Sequence, residues 1–345
     1  MSSPDAPSPS FSRRAFLQHG GCFFASTLFA GSAESAPSVG DGNRAKWRQR
    51  IGLILGTIRP EIAKLDTLEA AFARIEKMGV REVETTLNYD FLGLSPKQFR
   101  ALLDRYKLTM PVTHAVASEG PNLEKTLEGF QIMGLKYARI GGEGVAGAVA
   151  ELRRDAPAAP TSGRSEPKRE KALNLPTVDA VKRSAAQNNK RGRLLKKFGM
   201  KNYVHNHTAE FELLGIGTLN RHEIMVTESD PELVTMQLDI GWASVAGQNI
   251  VDLFQRHPGR YELWHVKDAT GLKTMNPALT PTQRQRVATL CPVGEGDVDY
   301  RTIFGYTELA GLKHFSIEQD NASRDGQHMR AVQISVQNLL TKVLV

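Results

Sequence analysis

Tyr203-Val204-His205-Asn206-His207-Thr208-Ala209-Glu210-Phe211 reads as a short buried strand that runs out into two imidazoles, with a carboxylate just beyond. His205 and His207 stand two apart, so on a strand they share one side. Three more ligand-type residues each close an apolar run of their own. Asp239 ends Val234-Thr235-Met236-Gln237-Leu238, His265 ends Tyr261-Glu262-Leu263-Trp264, and Glu318 ends His314-Phe315-Ser316-Ile317. Metal-type side chains at the carboxyl ends of successive strands are how a (β/α)8 barrel builds one site on its top face. An unpaired Asp or Glu buried there would be costly, and a divalent cation removes the cost.

Working outward, strand-like and helix-like segments alternate. Strands are expected at 51–56, 80–86, 109–114, 137–140, 202–207, the run ending at Asp239, 261–266 and 314–318. Helices are expected at 65–79, 95–106, 122–133, 177–198, 250–256, 299–310 and 329–343, with a short one at 222–227. In the first, Leu65, Leu68, Ala71, Phe72, Ile75 and Met78 fall at helical spacing and Gly79 suits the C-cap. Ser95-Pro96 supplies the second with an N-cap and a first-turn proline. Eight such alternations predict an α/β chain folded as one (β/α)8 TIM barrel, over residues 49–345. The stretch 142–173, rich in Ala, Pro, Ser and charge, reads as a long top-face loop, either a lid or an insert without fixed order. No short-period repeat and no Gly-rich phosphate fingerprint is present.

Residues 1–36 read as a targeting segment. Ser12-Arg13-Arg14-Ala15-Phe16-Leu17 resembles the twin-arginine export motif; a weakly apolar run, 20–31, and the small residues Ser32-Ala33-Glu34-Ser35-Ala36 follow. A basic tail without fixed structure is the alternative. Residues 37–48 read as a polar linker. The run is too short and too rich in Gly and Ser to span a bilayer, and Cys22 precedes it, badly placed for a lipid anchor. The segment predicts the export machinery as a partner, no stable membrane anchor, and a periplasmic or secreted destination. Cleavage would leave Cys291 as the only thiol, so no intramolecular disulfide is expected.

Of the 345 residues, 41% are hydrophobic and 7% aromatic, enough for a sizeable core. The net charge of +7 is dispersed, and the mild basic cluster at 168–197 has no interleaved aromatics. It reads as a solvated helix face and loop, so no nucleic-acid partner is expected. Homo-oligomer formation is left open.

Asn188-Asn189-Lys190-Arg191-Gly192, Leu194-Leu195-Lys196-Lys197-Phe198-Gly199-Met200, Val204-His205-Asn206-His207, Leu238-Asp239-Ile240-Gly241-Trp242, His265-Val266-Lys267-Asp268, Val293-Gly294-Glu295-Gly296 and Ile317-Glu318-Gln319-Asp320 follow one another in order. From about residue 50 onward, this pattern resembles the sugar phosphate isomerase/epimerase family of xylose-isomerase-like barrels. The resemblance implies Asp239, His265 and Glu318 as metal ligands. Many relatives place a Glu on strand five as both ligand and proton-transfer base; this chain has His205 there, with His207 as the alternative ligand. Glu210 is the candidate for the missing carboxylate, against a plain loop carboxylate. A mixed nitrogen and oxygen shell around one divalent ion suits Mn, Zn, Co or Fe better than Ca or Mg.

Other positions carry open alternatives. Lys267 shares the facing of His265 and suits a carbonyl or hydroxyl contact; a surface lysine is the alternative. Glu84 and His114 suit substrate hydroxyls, against a buried ion pair and a core histidine. His207 is a further substrate contact. Trp242 suits a sugar-stacking wall or plain packing, and Gly294 and Gly296 suit a turn. The resulting expectation is an exported, metal-dependent sugar isomerase or epimerase. Glu318 or Glu210, with Lys267, would move the proton beside a carbonyl through a metal-stabilised enediolate on a non-phosphorylated sugar or keto-sugar. Rivals are a lyase eliminating from a 3-keto-glycoside, a metal-dependent phosphodiesterase, and a non-catalytic periplasmic sugar-binding protein.

Overall fold

Strands β1 (Gly52–Ile54), β2 (Glu82–Thr85), β3 (Thr109–Ser118), β4 (Tyr137–Gly141), β5 (Lys201–His205), β6 (Val234–Asp239) and β7 (Leu263–Val266) run in parallel around a barrel. After β7 comes an antiparallel hairpin, β8 (Asp268–Thr270) with β9 (Thr289–Cys291). Strand β10 (His314–Ile317) then pairs with β7 and β1 and closes the circle. This computed structural model describes residues 41–85, 91–141, 175–215, 217, 219–322 and 328–345. The expected export segment 1–36 and the loop 142–173 lie outside the described residues.

Helices cover the strands as the periodicity predicts. Leu65–Met78 buries Leu68, Ala71, Phe72 and Ile75. Pro96–Arg105 begins at a capping box in which Ser95 and Gln98 satisfy each other's backbone N–H groups. Leu123–Met133, Val178–Lys196, Arg221–Glu228 and Ile250–Arg256 follow the expected order. Between helices and strands the core is aromatic: Phe254 stacks on Trp264 at 5.1 Å, and Phe304 meets Phe315 edge-on at 5.2 Å. Among the described residues, no helix is long and apolar enough to cross a membrane.

Four expectations change. Asp41–Arg48, inside the expected linker, is a helix. Its Trp47 is 1% exposed and packs against Phe315, while Arg48 donates to the Leu340 carbonyl at 2.8 Å. One buried indole ties this polar stretch to the barrel. The helix expected at 299–310 is broken into three short turns, Tyr300–Ile303, Phe304–Tyr306 and Thr307–Ala310. The last helix, His328–Asn338, passes into a π-helical turn at Leu339–Val343. The β8–β9 hairpin, with the helix Pro281–Val287 in its loop, has too few apolar residues at either period to be read from sequence.

Candidate metal centre in the barrel mouth

Period-two alternation sends Glu84 of β2, His114 of β3, Arg139 of β4, His205 of β5, Gln237 and Asp239 of β6 and His265 of β7 toward the C-terminal half of the barrel. Asn206, between the two histidines, clamps the neighbouring strand. Its Oδ1 accepts the Asp239 N–H at 3.0 Å and its Nδ2 donates to the Asp239 carbonyl at 3.3 Å. Asp239 Oδ1 in turn accepts the Trp242 N–H at 2.8 Å, capping the helix Ile240–Val245. That leaves Oδ2 of a fully buried carboxylate facing the cluster.

His265 is held from behind. Its Nε2 meets Glu84 Oε2 at 3.0 Å, so Nδ1 turns toward Glu318 Oε2 at 2.7 Å and Asp239 Oδ2 at 4.0 Å. His205, His265 and Asp239 each bring a ligand atom within 4.8 Å of the others. Lys267 Nζ lies 2.8 Å from Asp239 Oδ2 and 3.1 Å from Glu318 Oε2, so both oxygens face one cationic point. Three of the four expected ligands therefore form one cluster from β5, β6 and β7, and Glu318, at the end of β10, joins it through His265 and Lys267.

Charge in this mouth is arranged for that convergence. Burial, then the neighbouring imidazoles, push His205 well below its ordinary value, so it stays neutral and ready to coordinate. Burial works against a charge on His265, yet Glu318 and Glu84 outweigh it and push the imidazole up to about 10. Burial would raise the Glu84 carboxyl, but His265 and the bond to His114 hold it well below the usual carboxylate range. Glu318 is likewise held low against burial by Lys267 and His265, while burial raises the coupled Asp239.

Lys267 is 0% exposed, so the surface-lysine reading fails. Its ammonium contacts Asp239, Glu318 and, at 2.7 Å, Asp320, and lies 4.7 Å from the Trp242 ring centre. Burial would discharge it, but the three carboxylates drive its pKa above the usual lysine value. Close passage makes this geometry possible: a side chain on Gly241 would collide with the Lys267 carbonyl and Cβ. Gly294 and Gly296 donate backbone N–H groups to Asp268 Oδ2 at 2.9 and 3.1 Å, so they shape a turn around that carboxylate.

The remaining expected residues scatter. Glu84, expected to touch substrate, is 1% exposed and lies beneath the cluster, bound to His265, to His114 Nδ1 at 2.7 Å and to Gln237 Nε2 at 3.0 Å. His114 is half-buried, its ring stacked 5.5 Å from His265 and edge-on to His205 at 5.1 Å. His207 is exposed, edge-on to His205 at 5.0 Å and tilted 6.3 Å from Trp242. Trp242 is buried and packs with Val245 and Ala269. Glu210 faces its own loop, accepting the His207 N–H at 2.7 Å and pairing with Arg221 at 3.4 Å, and none of these contacts is with the cluster. Three residues were not anticipated: Gln237, Asp320 and Arg139. Alternation from Asp239 and Tyr137 points at Gln237 and Arg139, and Asp320 stands two beyond Glu318.

The donor set fits a divalent ion. His205 Nδ1, Asp239 Oδ2, His265 Nδ1 and Glu318 Oε2 are all buried and all lack a well-formed hydrogen bond. The His265–Glu318 approach is close but misaligned. Two imidazole nitrogens and two carboxylate oxygens gathered in one dry mouth are a donor set that suits a divalent ion; without one, the Lys267 ammonium, 2.8 and 3.1 Å from the two oxygens, balances their charge.

The fold and this mouth define a (β/α)8 barrel with a metal-type cluster at its C-terminal face. A scan of protein-family profiles finds no match. An inosose dehydratase from Geobacillus thermodenitrificans is 24% identical over 140 residues, 39% of this chain and 46% of that protein. A second inosose dehydratase, from Clostridium botulinum, is 27% identical over 119 residues, so the chain spans less than half the length of each of these curated relatives. A sugar phosphate isomerase/epimerase structure from Parabacteroides distasonis superposes with TM-score 0.60 at 18% identity, covering 91% of this chain and 97% of that one. A xylose isomerase-like TIM barrel protein from Mycobacterium smegmatis, solved in complex with magnesium, gives TM-score 0.51 at 14% identity over 88% and 99%. At these identities the likeness is one of fold.

Proposed function

We propose that the chain is a metal-dependent sugar isomerase or epimerase that removes and returns the proton beside a carbonyl of a non-phosphorylated sugar or keto-sugar. The observation that carries this reading is the gathering of two imidazoles and two carboxylates in one barrel mouth. His205, Asp239, His265 and Glu318 would hold one Mn, Zn, Co or Fe ion. When bound, it supplies a Lewis acid that polarises the carbonyl and steadies negative charge on its oxygen. Glu318, 15% exposed and held ionised by Lys267 and His265, takes the proton from the carbon next to the carbonyl. Lys267 Nζ keeps its proton against three carboxylates and offers a fixed positive charge to a substrate oxygen. Trp242 and His207 wall one side of the mouth. The test is elemental analysis of the purified chain, followed by transfer of solvent deuterium into a panel of keto-sugars. A bound transition metal and metal-dependent exchange are expected. Exchange that survives complete chelation would end the reading.

One observation favours a second outcome of the same proton abstraction. Strand five offers His205 where a second carboxylate would return the proton to the opposite face, which favours loss of a β-substituent over reprotonation. Both of the curated relatives are named inosose dehydratase. Elimination would generate a conjugated ketone, seen as new ultraviolet absorbance with loss of the β-substituent; isomerisation would not.

We further propose twin-arginine export to the periplasm or beyond, from Arg13-Arg14 and the apolar run after them. Replacing Arg13 and Arg14 together by Lys should retain the chain in the cytoplasmic fraction; continued export would reject the assignment.

A further inference from the structure

Arg139 occupies the inward β4 position two residues beyond Tyr137, whose ring packs inside the barrel with Val112, Tyr203 and Leu263. The β3–β4 register explains part of its duty. Val112 pairs with Tyr137, but the next pairing is Val116 with Arg139, so β3 carries extra residues across this step. Arg139 Nη2 donates to the His114 carbonyl at 2.9 Å, satisfying an oxygen in that irregular stretch. The guanidinium centre lies 5.2 Å from the Tyr203 ring centre, which holds the planar group flat against an aromatic face.

The guanidinium also donates to the Tyr203 hydroxyl, yet part of the fork is left over. Arg139 Nε is buried without a hydrogen-bond partner. Among the described residues no carboxylate pairs with Arg139; Glu84 is already engaged by His114, His265 and Gln237. A guanidinium can form parallel bonds to two oxygens of one planar anion, and a buried N–H without an acceptor is costly. His114, whose carbonyl Arg139 holds, has its ring against both His205 and His265, which puts Arg139 next to the metal-type cluster on its β4 side.

We propose that Arg139 is a specificity-determining residue that anchors the carboxylate of an acidic sugar held in this mouth. The inference rests on the reading of the mouth as a carbohydrate site and narrows the substrate to acidic sugars. Calorimetry on the full chain supplemented with Mn²⁺ would compare D-glucuronate, glucose 6-phosphate and D-glucose, for the wild type, Arg139→Met and Arg139→Lys, each checked by thermal melting. The wild type is expected to prefer D-glucuronate over glucose by about 10- to 100-fold, the usual worth of a charge-assisted bidentate contact. A preference for glucose 6-phosphate over D-glucuronate would overturn the carboxylate anchor. Arg139→Met should bring the acid-to-neutral ratio to near one, with Arg139→Lys in between; if the Met variant does not fold, the fall in the Lys variant decides. Equal binding of all three sugars, no binding of any, or a ratio unchanged by substitution would overturn the anchor. Keto-sugar exchange by the wild type separates the two ideas. No exchange with the ratio intact removes the reaction and keeps the anchor, while exchange without an acid preference does the reverse.

Discussion

The two ends of this barrel are both filled with charge, and they treat it in opposite ways. At the N-terminal end, Glu82 Oε1 takes Arg50 Nε and Nη2 at 2.9 and 2.8 Å, and Oε2 lies 2.7 Å from His314 Nδ1. Nearby, Glu262 accepts from Tyr137 Oη at 2.7 Å and Lys201 Nζ at 2.5 Å. Among the described residues, none of those side-chain atoms is left buried without a partner. At the C-terminal end, His205, Asp239, His265, Lys267 and Glu318 each keep a buried atom without a well-formed bond. A closed ionic network is complete as protein and serves the fold. An open one, built from the same residue types but buried more deeply, leaves ligand atoms for something added.

Substitutions at each end test that contrast. The largest expected effect is Asp239→Ala, which removes one ligand atom and one partner of Lys267. Deuterium exchange should fall on the order of 10³-fold or more, with loss of bound metal by elemental analysis. If metal content and exchange survive, the open end is not a metal centre. Glu84→Gln acts through His265, whose outer nitrogen it holds; metal affinity should fall about 10- to 100-fold in a competition titration. An unchanged affinity would show that Glu84 does not orient the ligand. At the closed end, Glu262→Gln leaves Lys201 without its carboxylate in a mostly buried setting. Denaturant melts should show a loss of about 1–3 kcal/mol, with metal content untouched. A change in metal content there would break the division between the ends.

The smallest effect is a pH dependence of the metal-free chain. Its His265 has a folded-state value near 10, above the unfolded 6.5. The protonated ring, bridging Glu84 and Glu318, therefore stabilises fully below about pH 6.5, and that stability is lost as pH rises toward 10. Melting temperatures of chelated protein should decline across this window. Metal-loaded protein, whose His265 is committed to the ion, should not show the same decline. Parallel pH curves for the two forms would mean that His265 is not a ligand.

Much of this was legible beforehand because both signals are local. Alternating apolar runs marked every barrel strand, and polar residues at the ends of β5, β6, β7 and β10 marked the mouth. What stayed hidden depends on partners distant in sequence. Glu84 could be a substrate contact or a buried ion-pair member until His265 was seen 181 positions away at its oxygen. Glu210 stood close in sequence to His205 and His207, yet a backbone N–H and Arg221 draw it away. Arg139 reads in sequence like any strand arginine, because nothing in its neighbourhood reveals that no carboxylate among the described residues pairs with it.

The sequence by itself determined which faces of which segments are apolar, and hence an eight-stranded parallel barrel with histidines and carboxylates at one rim, because periodicity and strand ends are properties of a few consecutive residues. Only the tertiary structure decided which of those side chains satisfy one another and which are left open. Hydrogen bonding in a dry interior depends on distances between strands that the chain brings together only on closing the barrel.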